Sequence, residues 1–193
     1  MQKMTKRQIQ AINTKNNIYT IAINLMEKKG YDNITIEEIC KKAGVSVGTF
    51  YHYFKSKYDI FIEIYTKADD YFYNNVANNL KEHNTLDKII EYFDHYATYN
   101  TTCGIDTMKQ LYNPNNKMFI KHGRFMQTVL QDIIKKGQEK NEICIDMTPE
   151  KVTEYLFIVA RGVVYDWCLH DGQYDLNEAM NTFMKHLIVT FKS

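Results

Sequence analysis

The sequence predicts an all-α protein, and three observations support this class. The chain of 193 residues has only two prolines and eight glycines, so few residues interrupt a helix. Isoleucine, leucine, methionine, lysine, glutamate and asparagine fill long stretches instead. Apolar residues also recur at intervals of three and four, which places them on one face of a helix. Since 45% of the residues are hydrophobic, the chain can form a stable core without disulfide bonds or bound metal ions.

The composition favours a cytosolic protein without a cofactor or metal. No run approaches the roughly eighteen apolar residues of a membrane helix, and the N-terminal MQKMTKRQIQ lacks the apolar segment of a signal peptide. The cysteines are far apart and form no C-x-x-C pair, which predicts free buried thiols. They are Cys40, Cys103, Cys144 and Cys168. A redox or metal role for Cys103 or Cys144 with His95 or His122 stays open, although no spacing favours it.

The N-terminal third of the chain is basic. Residues 1–59 hold ten lysines and arginines against five aspartates and glutamates, a balance of +5. Because the whole chain carries +1, the remaining residues carry −4. A basic end on a nearly neutral protein is typical of a segment that meets a polyanion. Lys3, Lys6 and Arg7 would form a basic arm in front of it.

Three short helices are predicted within this basic segment. The stretch NNIYTIAINLMEKKG carries its apolar residues on one helical face and stops at Gly30. Thr35 and Glu38 have the spacing of a capping box at the start of a second helix, and Ser46 can cap a third helix that ends at Phe54. Helices this short need to pack on one another, and the last two, joined by GVS, have the form of a helix-turn-helix.

Longer amphipathic helices are predicted in the rest of the chain, with a short one inside the stretch NTTCGIDTMKQLYNPNNK. The boundary between head and body falls inside the fourth helix, which would connect them mechanically. We therefore divide the chain into residues 1–60 and 61–193. The predicted long helices are Ser56 to Leu80, Thr85 to Ala97, Pro114 to Gly137, Thr148 to Leu169 and Leu176 to Phe191.

The stretch GVSVGTFYHYFKSKYD, residues 44–59, combines aromatic rings, hydroxyls and lysines. Phe50 and Phe54 share one helical face and are predicted to be core. Hydroxyls and ring donors at a helix start, followed by lysines, can hydrogen-bond phosphate oxygens, and Gly48 lets the backbone approach base edges in the major groove. An aromatic-rich core turn is the alternative. The basic balance of the segment favours DNA.

The order T-x-x-x-I-x-x-x-A-G-V-S-x-G-T-x-Y-x-Y-F-x-x-K resembles the DNA-binding head of the TetR family of bacterial transcriptional regulators. The resemblance covers about residues 15–62, and the remainder agrees in architecture. It implies a three-helix head with a helix-turn-helix, followed by a six-helix body that binds a ligand and dimerises. It also implies a repressor that binds a palindromic operator as a homodimer and is released by a small apolar or aromatic molecule.

The resemblance also implies roles for single residues of the head. Val47, Gly48 and Tyr51 would lie closest to the bases, although Val47 could give only apolar contact, for instance with a thymine methyl. The others would hold the phosphate backbone or the helix ends. The DNA-binding set is Thr35, Ser46, Val47, Gly48, Thr49, Tyr51, His52, Tyr53, Lys55 and Lys57.

In the body, the resemblance implies a dimer interface on the last two helices and a ligand pocket. Gly162 in mid-helix costs about 1 kcal/mol relative to alanine, which favours a close helix approach there. The predicted interface set is Val159, Gly162, Val163, Phe183, Met184 and Leu187. The predicted pocket set consists of aromatic and methionine side chains with Arg161 as a polar anchor. It comprises Tyr65, Phe72, Phe93, Tyr96, Met108, Tyr112, Phe125, Met126, Phe157, Arg161 and Trp167.

Two other functions stay open at this point. A regulator controlled by a protein partner would use the body as a docking surface and would need no internal cavity. An enzyme is the second alternative. The sequence contains no nucleophile elbow, phosphate-binding loop, metal cluster or paired-carboxylate motif.

Overall fold

Helices dominate the architecture. The computed structural model describes residues 5–113 and 116–193, and within these ranges it contains no β-strand. The predicted all-α class is confirmed. The chain forms two compact units, Met1–Tyr65 and Thr66–Ser193. None of the helices in the described ranges is long and apolar enough to cross a lipid bilayer.

The N-terminal unit is built from α1 (Lys6–Lys29), α2 (Ile36–Ala43), α3 (Val47–Tyr53) and the beginning of α4 (Asp59–Tyr71). Helix α2 packs against both α1 and α3. The core between them is apolar and fully buried, as the helical spacing predicts. Its largest members are Ile18, Met26, Ile34, Ile39, Phe50, Phe54 and Ile60.

The start of α1 differs from the predicted basic arm. Thr5 caps the helix, with its side chain accepting the N–H of Gln8 while the Gln8 side chain accepts the N–H of Thr5. This reciprocal cap begins the helix early, so Lys6 and Arg7 form its first turn. Lys3, which was assigned to the same arm, lies outside the described residues.

The C-terminal unit contains α5 (Thr85–Cys103), α6 (Ile105–Leu111), α7 (Phe125–Glu139), α8 (Pro149–Leu169) and α9 (Leu176–Ile188). Helix α5 packs against α7 and α9, and α8 packs against the same two helices. A Cβ on Gly137 of α7 would clash with the Thr85 side chain, so glycine permits the close approach of α7 to α5. Thr148 caps α8 and Pro149 occupies its first turn, as predicted.

Several predicted helix ends differ from the structure, and one of them is the end of α5, which lies at Cys103 rather than Ala97. Helix α4 ends at Tyr71 and continues as a π-helical turn, Phe72–Val76, rather than to Leu80. The cap of α5 is Asn84, whose side chain accepts the N–H of Asp87, whereas Thr85 is buried and donates its backbone N–H to the Glu142 carboxylate at 2.8 Å.

Helix α7 begins at Phe125, and the predicted start, Pro114, lies outside the described residues. Between them, Lys117–Ile120 forms a 3-10 turn, and Gly123 has a φ of 75°, in the left-handed region that a continuous helix excludes. The segment ahead of α7 is therefore an irregular wall rather than a helix.

Candidate DNA-binding surface and ligand cavity

A glycine turn and a serine cap orient helix α3. Gly44 ends α2 with a φ of 66° and donates its N–H to the Cys40 carbonyl. Ser46 then begins α3, because its hydroxyl oxygen accepts the N–H of Thr49 at 3.0 Å. The capping-box prediction for α2 is half correct. Thr35 accepts the N–H of Glu38, but the Glu38 carboxylate pairs with Lys29 at 2.7 Å.

Helix α3 has one buried side and one open side. Phe50 and the flanking Phe54 are buried with their rings 5.7 Å apart, as the sequence predicts. Val47 is 39% exposed and Tyr51 is 52% exposed, and both belong to the open side. Gly48 and His52 are exposed there too, whereas Thr49 and Tyr53 are half-buried. The open side therefore presents an apolar group, a phenol and an imidazole to solvent, those of Val47, Tyr51 and His52.

Two lysines after α3 have different surroundings. The Lys57 ammonium donates to the carbonyls of Tyr31 and Ile34 at 2.6 and 2.9 Å and lies 4.1 Å from the centre of the Tyr31 ring. Lys57 therefore holds the turn between α1 and α2 against the start of α4, with one N–H left over. Lys55 is exposed, and its backbone N–H donates to the Asp59 carboxylate at 2.8 Å.

A cavity of about 520 Å³ opens in the C-terminal unit. Its walls are the irregular segment before α7, the first turns of α7 and one side of α8. This volume is in the range of small-molecule sites. The residues that line it are Phe119, Ile120, His122, Gly123, Gln127, Gln131, Thr148, Glu150, Lys151, Thr153, Glu154, Phe157 and Arg161.

The charged groups around the cavity are unevenly paired. Lys151 and Glu154 form an ion pair at 2.8 Å, which lowers the pKa of the Glu154 carboxyl, and the charges of His122 and Arg161 lower it further. Arg161 itself forms no ion pair within the described ranges, and its Nη1 donates to the backbone carbonyl of Phe119 at 3.2 Å. A half-buried guanidinium beside the Phe157 ring is thus available to an anion.

The outer faces of α8 and α9 carry exposed apolar side chains. Gly162 lies among them, and a Cβ built on it would meet nothing within 4 Å. Val163 and Met184, which are predicted at the dimer interface, are buried within the protomer. Val159 and Leu187 are half-buried. The exposed apolar residues are Tyr155, Ile158, Tyr165, Leu169 and Phe183.

Comparison with known proteins identifies the family. A family model of bacterial regulatory proteins of the tetR family matches residues 18–64. A second TetR model, for the C-terminal region of YsiA-like proteins, matches residues 54–190, which is more than half of the chain. The chain belongs to the TetR family. It is therefore a DNA-binding transcriptional regulator, and the enzyme alternative is set aside because the family consists of regulators.

Relatives of this TetR-family regulator match almost its whole length. The fatty acid metabolism regulator protein of Bacillus subtilis is 25% identical over 179 residues, covering 89% of this chain and 92% of that protein. The crystal structure of FadR from Bacillus subtilis in complex with stearoyl-CoA has a TM-score of 0.73 at 23% identity, covering 90% of this chain and 97% of that one. FadR from Bacillus halodurans has a TM-score of 0.72 at 19% identity and covers 97% of each chain.

Only two residues of the predicted pocket set line this cavity in the TetR-family body, Phe157 and Arg161. Several others fill the core by pairing with one another. The hydroxyls of Tyr96 and Tyr112 are 2.7 Å apart, and the rings of Phe93 and Phe157 are 5.5 Å apart. Four other residues of the predicted pocket set also lie in the core of the C-terminal unit: Phe72, Met108, Met126 and Trp167.

Two other members of that set lie elsewhere. Phe125 is exposed and packs its ring against Tyr73, with 4.8 Å between the ring centres. Tyr65 is buried and belongs to the N-terminal unit.

Sequence reasoning missed the polar residues of the cavity wall. Gln127 and Gln131 are one turn apart on α7, and Thr153 faces the cavity from α8. The available signal was the recurrence of polar residues at helical spacing on a side otherwise rich in core residues. Cys40, Cys144 and Cys168 are free thiols; Cys40, Cys103 and Cys168 are buried, as predicted, whereas Cys144 is half-buried. Within the described ranges, no three histidine, cysteine or acidic side chains gather into a metal-binding group.

Proposed function

We propose that this TetR-family regulator is a repressor that binds a palindromic operator as a homodimer and is released by an acyl thioester with a long apolar chain. This proposal rests on the cavity of about 520 Å³, in which Arg161 has no ion pair in the described ranges and Phe119, Ile120 and Phe157 supply apolar surface. A guanidinium without an ion pair and a few apolar side chains in one cavity suit a ligand with an anionic head and an apolar tail.

The similarity to a fatty acid metabolism regulator over 89% of the chain supports this ligand class. FadR from the same organism binds stearoyl-CoA, which has both an anionic head and an apolar tail. In this chain, Phe119, Ile120 and Phe157 offer apolar contact within the cavity. The cavity also favours a small-molecule effector over a protein partner, since a docking surface needs no cavity.

We propose the open side of α3 as the surface that reads DNA. Tyr51, Val47 and Gly48 would contact base edges in the major groove, because they are exposed on the open side of the helix. The rest of the predicted set would hold the phosphates. Lys57 would donate to a phosphate with the third N–H of its ammonium group, since the other two donate to backbone carbonyls. A protein with this role would act in the cytoplasm.

We further propose that the exposed apolar faces of α8 and α9 form the homodimer interface. Tyr155, Ile158, Tyr165 and Phe183 leave large apolar areas in water in the single chain. A twofold dimer would bury them and set two heads at the half-site spacing that helix-turn-helix proteins require.

To test the proposed function, the purified protein is first used to select the duplexes that it binds from a random DNA pool. A palindrome whose binding weakens steeply with salt is the expected result. Stearoyl-CoA is then titrated into the complex with that palindrome and should release it. Operator and effector must weaken each other by the same factor, so the affinity for stearoyl-CoA should fall equally when the palindrome is bound.

Arg161→Gln probes the cavity, and Lys135→Gln, at an exposed position of α7, serves as the matched control. The Arg161 variant should bind the palindrome normally but need at least about tenfold more stearoyl-CoA for release, because a charge-assisted contact is lost. The Lys135 variant should respond like the wild type. Release of both variants at the wild-type concentration would place the anionic head elsewhere, and lack of release of the wild type would reject the ligand class.

A further inference from the structure

Two buried hydroxyls in the C-terminal unit have no hydrogen-bond partner among the described residues, those of Thr107 and Thr153. Thr107 is fully buried, and Thr153 is 3% exposed. Buried polar atoms are almost always paired, so each unpaired hydroxyl needs an explanation. Their surroundings differ. Thr153 lines the cavity, whereas Thr107 does not belong to its wall.

Thr153 occupies a defined place on the cavity wall. Thr153, Phe157 and Arg161 follow one another at intervals of four on α8, and all three line the cavity. Since an α-helix rises about 1.5 Å per residue, roughly 12 Å separates Thr153 from Arg161 along the axis. A ligand lying against α8 would therefore meet a hydroxyl, an aromatic ring and a guanidinium in order.

We propose that Thr153 is a specificity residue of the effector site and that its hydroxyl donates a hydrogen bond to the carbonyl oxygen of a bound acyl thioester. This inference rests on the proposed function, which supplies the ligand class. A carbonyl oxygen is the acceptor that every acyl thioester carries next to its apolar chain. Bound there, it would satisfy the hydroxyl that the single chain leaves unpaired.

The consequence is selectivity for acyl over alkyl chains. A thioether analogue, in which a methylene group replaces the carbonyl, has the same length and the same anionic head. It would leave the Thr153 hydroxyl buried and unpaired when it fills the cavity. Sites built around such a hydrogen bond reject analogues that lack it more strongly than sites that rely on apolar contact alone.

Isothermal titration calorimetry with stearoyl-CoA and with S-octadecyl-CoA, its thioether, tests this proposal. The wild-type protein should prefer the thioester by about five- to tenfold, the range of one net hydrogen bond. Thr153→Val keeps the shape but removes the hydroxyl. It should weaken thioester binding by that factor and leave thioether binding unchanged. Thr153→Ser keeps the hydroxyl and should retain the preference, which provides a second variant if the valine protein does not fold.

Thr107→Val is the matched control, because it removes an equally buried and unpaired hydroxyl away from the cavity wall. It should bind both ligands like the wild type. Equal affinities of the wild type and Thr153→Val for the thioester would overturn the inference while leaving the proposed function intact. If the wild type binds neither ligand yet still binds its operator, the effector class itself is wrong and the role of Thr153 falls with it.

Discussion

The carboxylate of Asp69 on α4 accepts hydrogen bonds from Nε and Nη2 of Arg124, at 3.2 and 3.3 Å. The same carboxylate accepts the backbone N–H of Met126, in the first turn of α7, at 3.1 Å. The Arg124 side chain is 9% exposed and that of Asp69 is 25% exposed, so water reaches the pair only partly. Arg124 directly follows His122 and Gly123 in the cavity wall. Through these hydrogen bonds, Asp69 connects the end of α4 to the segment that borders the cavity.

Asp69→Asn should destabilise the C-terminal unit by about 2 kcal/mol, because it leaves the guanidinium with a neutral, partly donating partner. Urea unfolding followed by circular dichroism measures this change. Glu154→Gln is the control, since it breaks the exposed Lys151–Glu154 pair and should leave the urea midpoint nearly unchanged. Equal midpoints for the Asp69 variant and the wild type would show that the buried contact adds no net stability.

Tyr51→Ala should lower the affinity for the selected palindrome by about tenfold or more, the range of a lost base contact. The melting temperature should change little, because the ring is 52% exposed and its contact with Phe50 is edgewise. Fluorescence anisotropy with labelled duplex measures the affinity. Tyr73→Ala removes an exposed tyrosine from the C-terminal unit and should leave operator binding unchanged. An unaltered affinity of the Tyr51 variant would remove Tyr51 from the reading surface.

Gly162→Leu should abolish the dimer and preserve the protomer. Leucine is a better helix former than glycine by nearly 1 kcal/mol, and the added side chain meets no atom of the protomer within 4 Å of its Cβ. It would instead obstruct the close approach of two α8 helices. Sedimentation velocity at micromolar concentration should give a monomer for this variant and a dimer for the wild type.

Asp132→Leu provides the control for dimerisation, because it adds the same side chain to an exposed position of α7, away from the proposed interface. It should sediment as a dimer. If Gly162→Leu also remains dimeric, another surface holds the two chains together. In that case Ile158→Glu, on the same face, would also leave the dimer intact.

The local signals in the sequence were sufficient for the head and for several caps. Ser46, Thr148 and the apolar spacing around Phe50 act over only a few residues, so their outcome depends little on the rest of the fold. The cavity could not be predicted in this way. Which aromatic residues fill the core depends on partners far apart in sequence, such as Phe93 and Phe157. Most of the aromatic and methionine residues that were expected to line a pocket therefore lie in the core, and polar residues line much of the cavity.

The irregular wall before α7 was missed for a related reason. A helix beginning near Pro114 agrees with the apolar spacing that follows, but the buried Arg124 pairs with Asp69, which lies 55 positions earlier. Such a contact fixes the start of α7 at Phe125. Caps that depend on a distant partner, like the Glu142 carboxylate at the Thr85 N–H, leave no periodic signal in the chain.

The Cys168 thiol makes stability depend on alkaline pH. Burial raises its pKa from 9.0 to about 11, and the nearby Lys109 charge only partly opposes this. The unfolded chain therefore loses the thiol proton near pH 9, whereas the folded chain keeps it until about pH 11. Because the folded state binds more protons in this window, stability should fall as the pH rises through it. The contribution of the thiol is complete below pH 9.

Cys168→Ala isolates this effect from other groups that ionise at high pH. The buried hydroxyls of Tyr92 and Tyr96 also have raised pKa values, but they are present in both proteins and cancel in the difference. Urea midpoints of both proteins are measured from pH 8 to pH 10.5. The advantage of the wild type over the variant should be largest at pH 8 and shrink as the pH rises. A difference that stays constant across the series would mean that the Cys168 thiol ionises alike in the folded and unfolded chains.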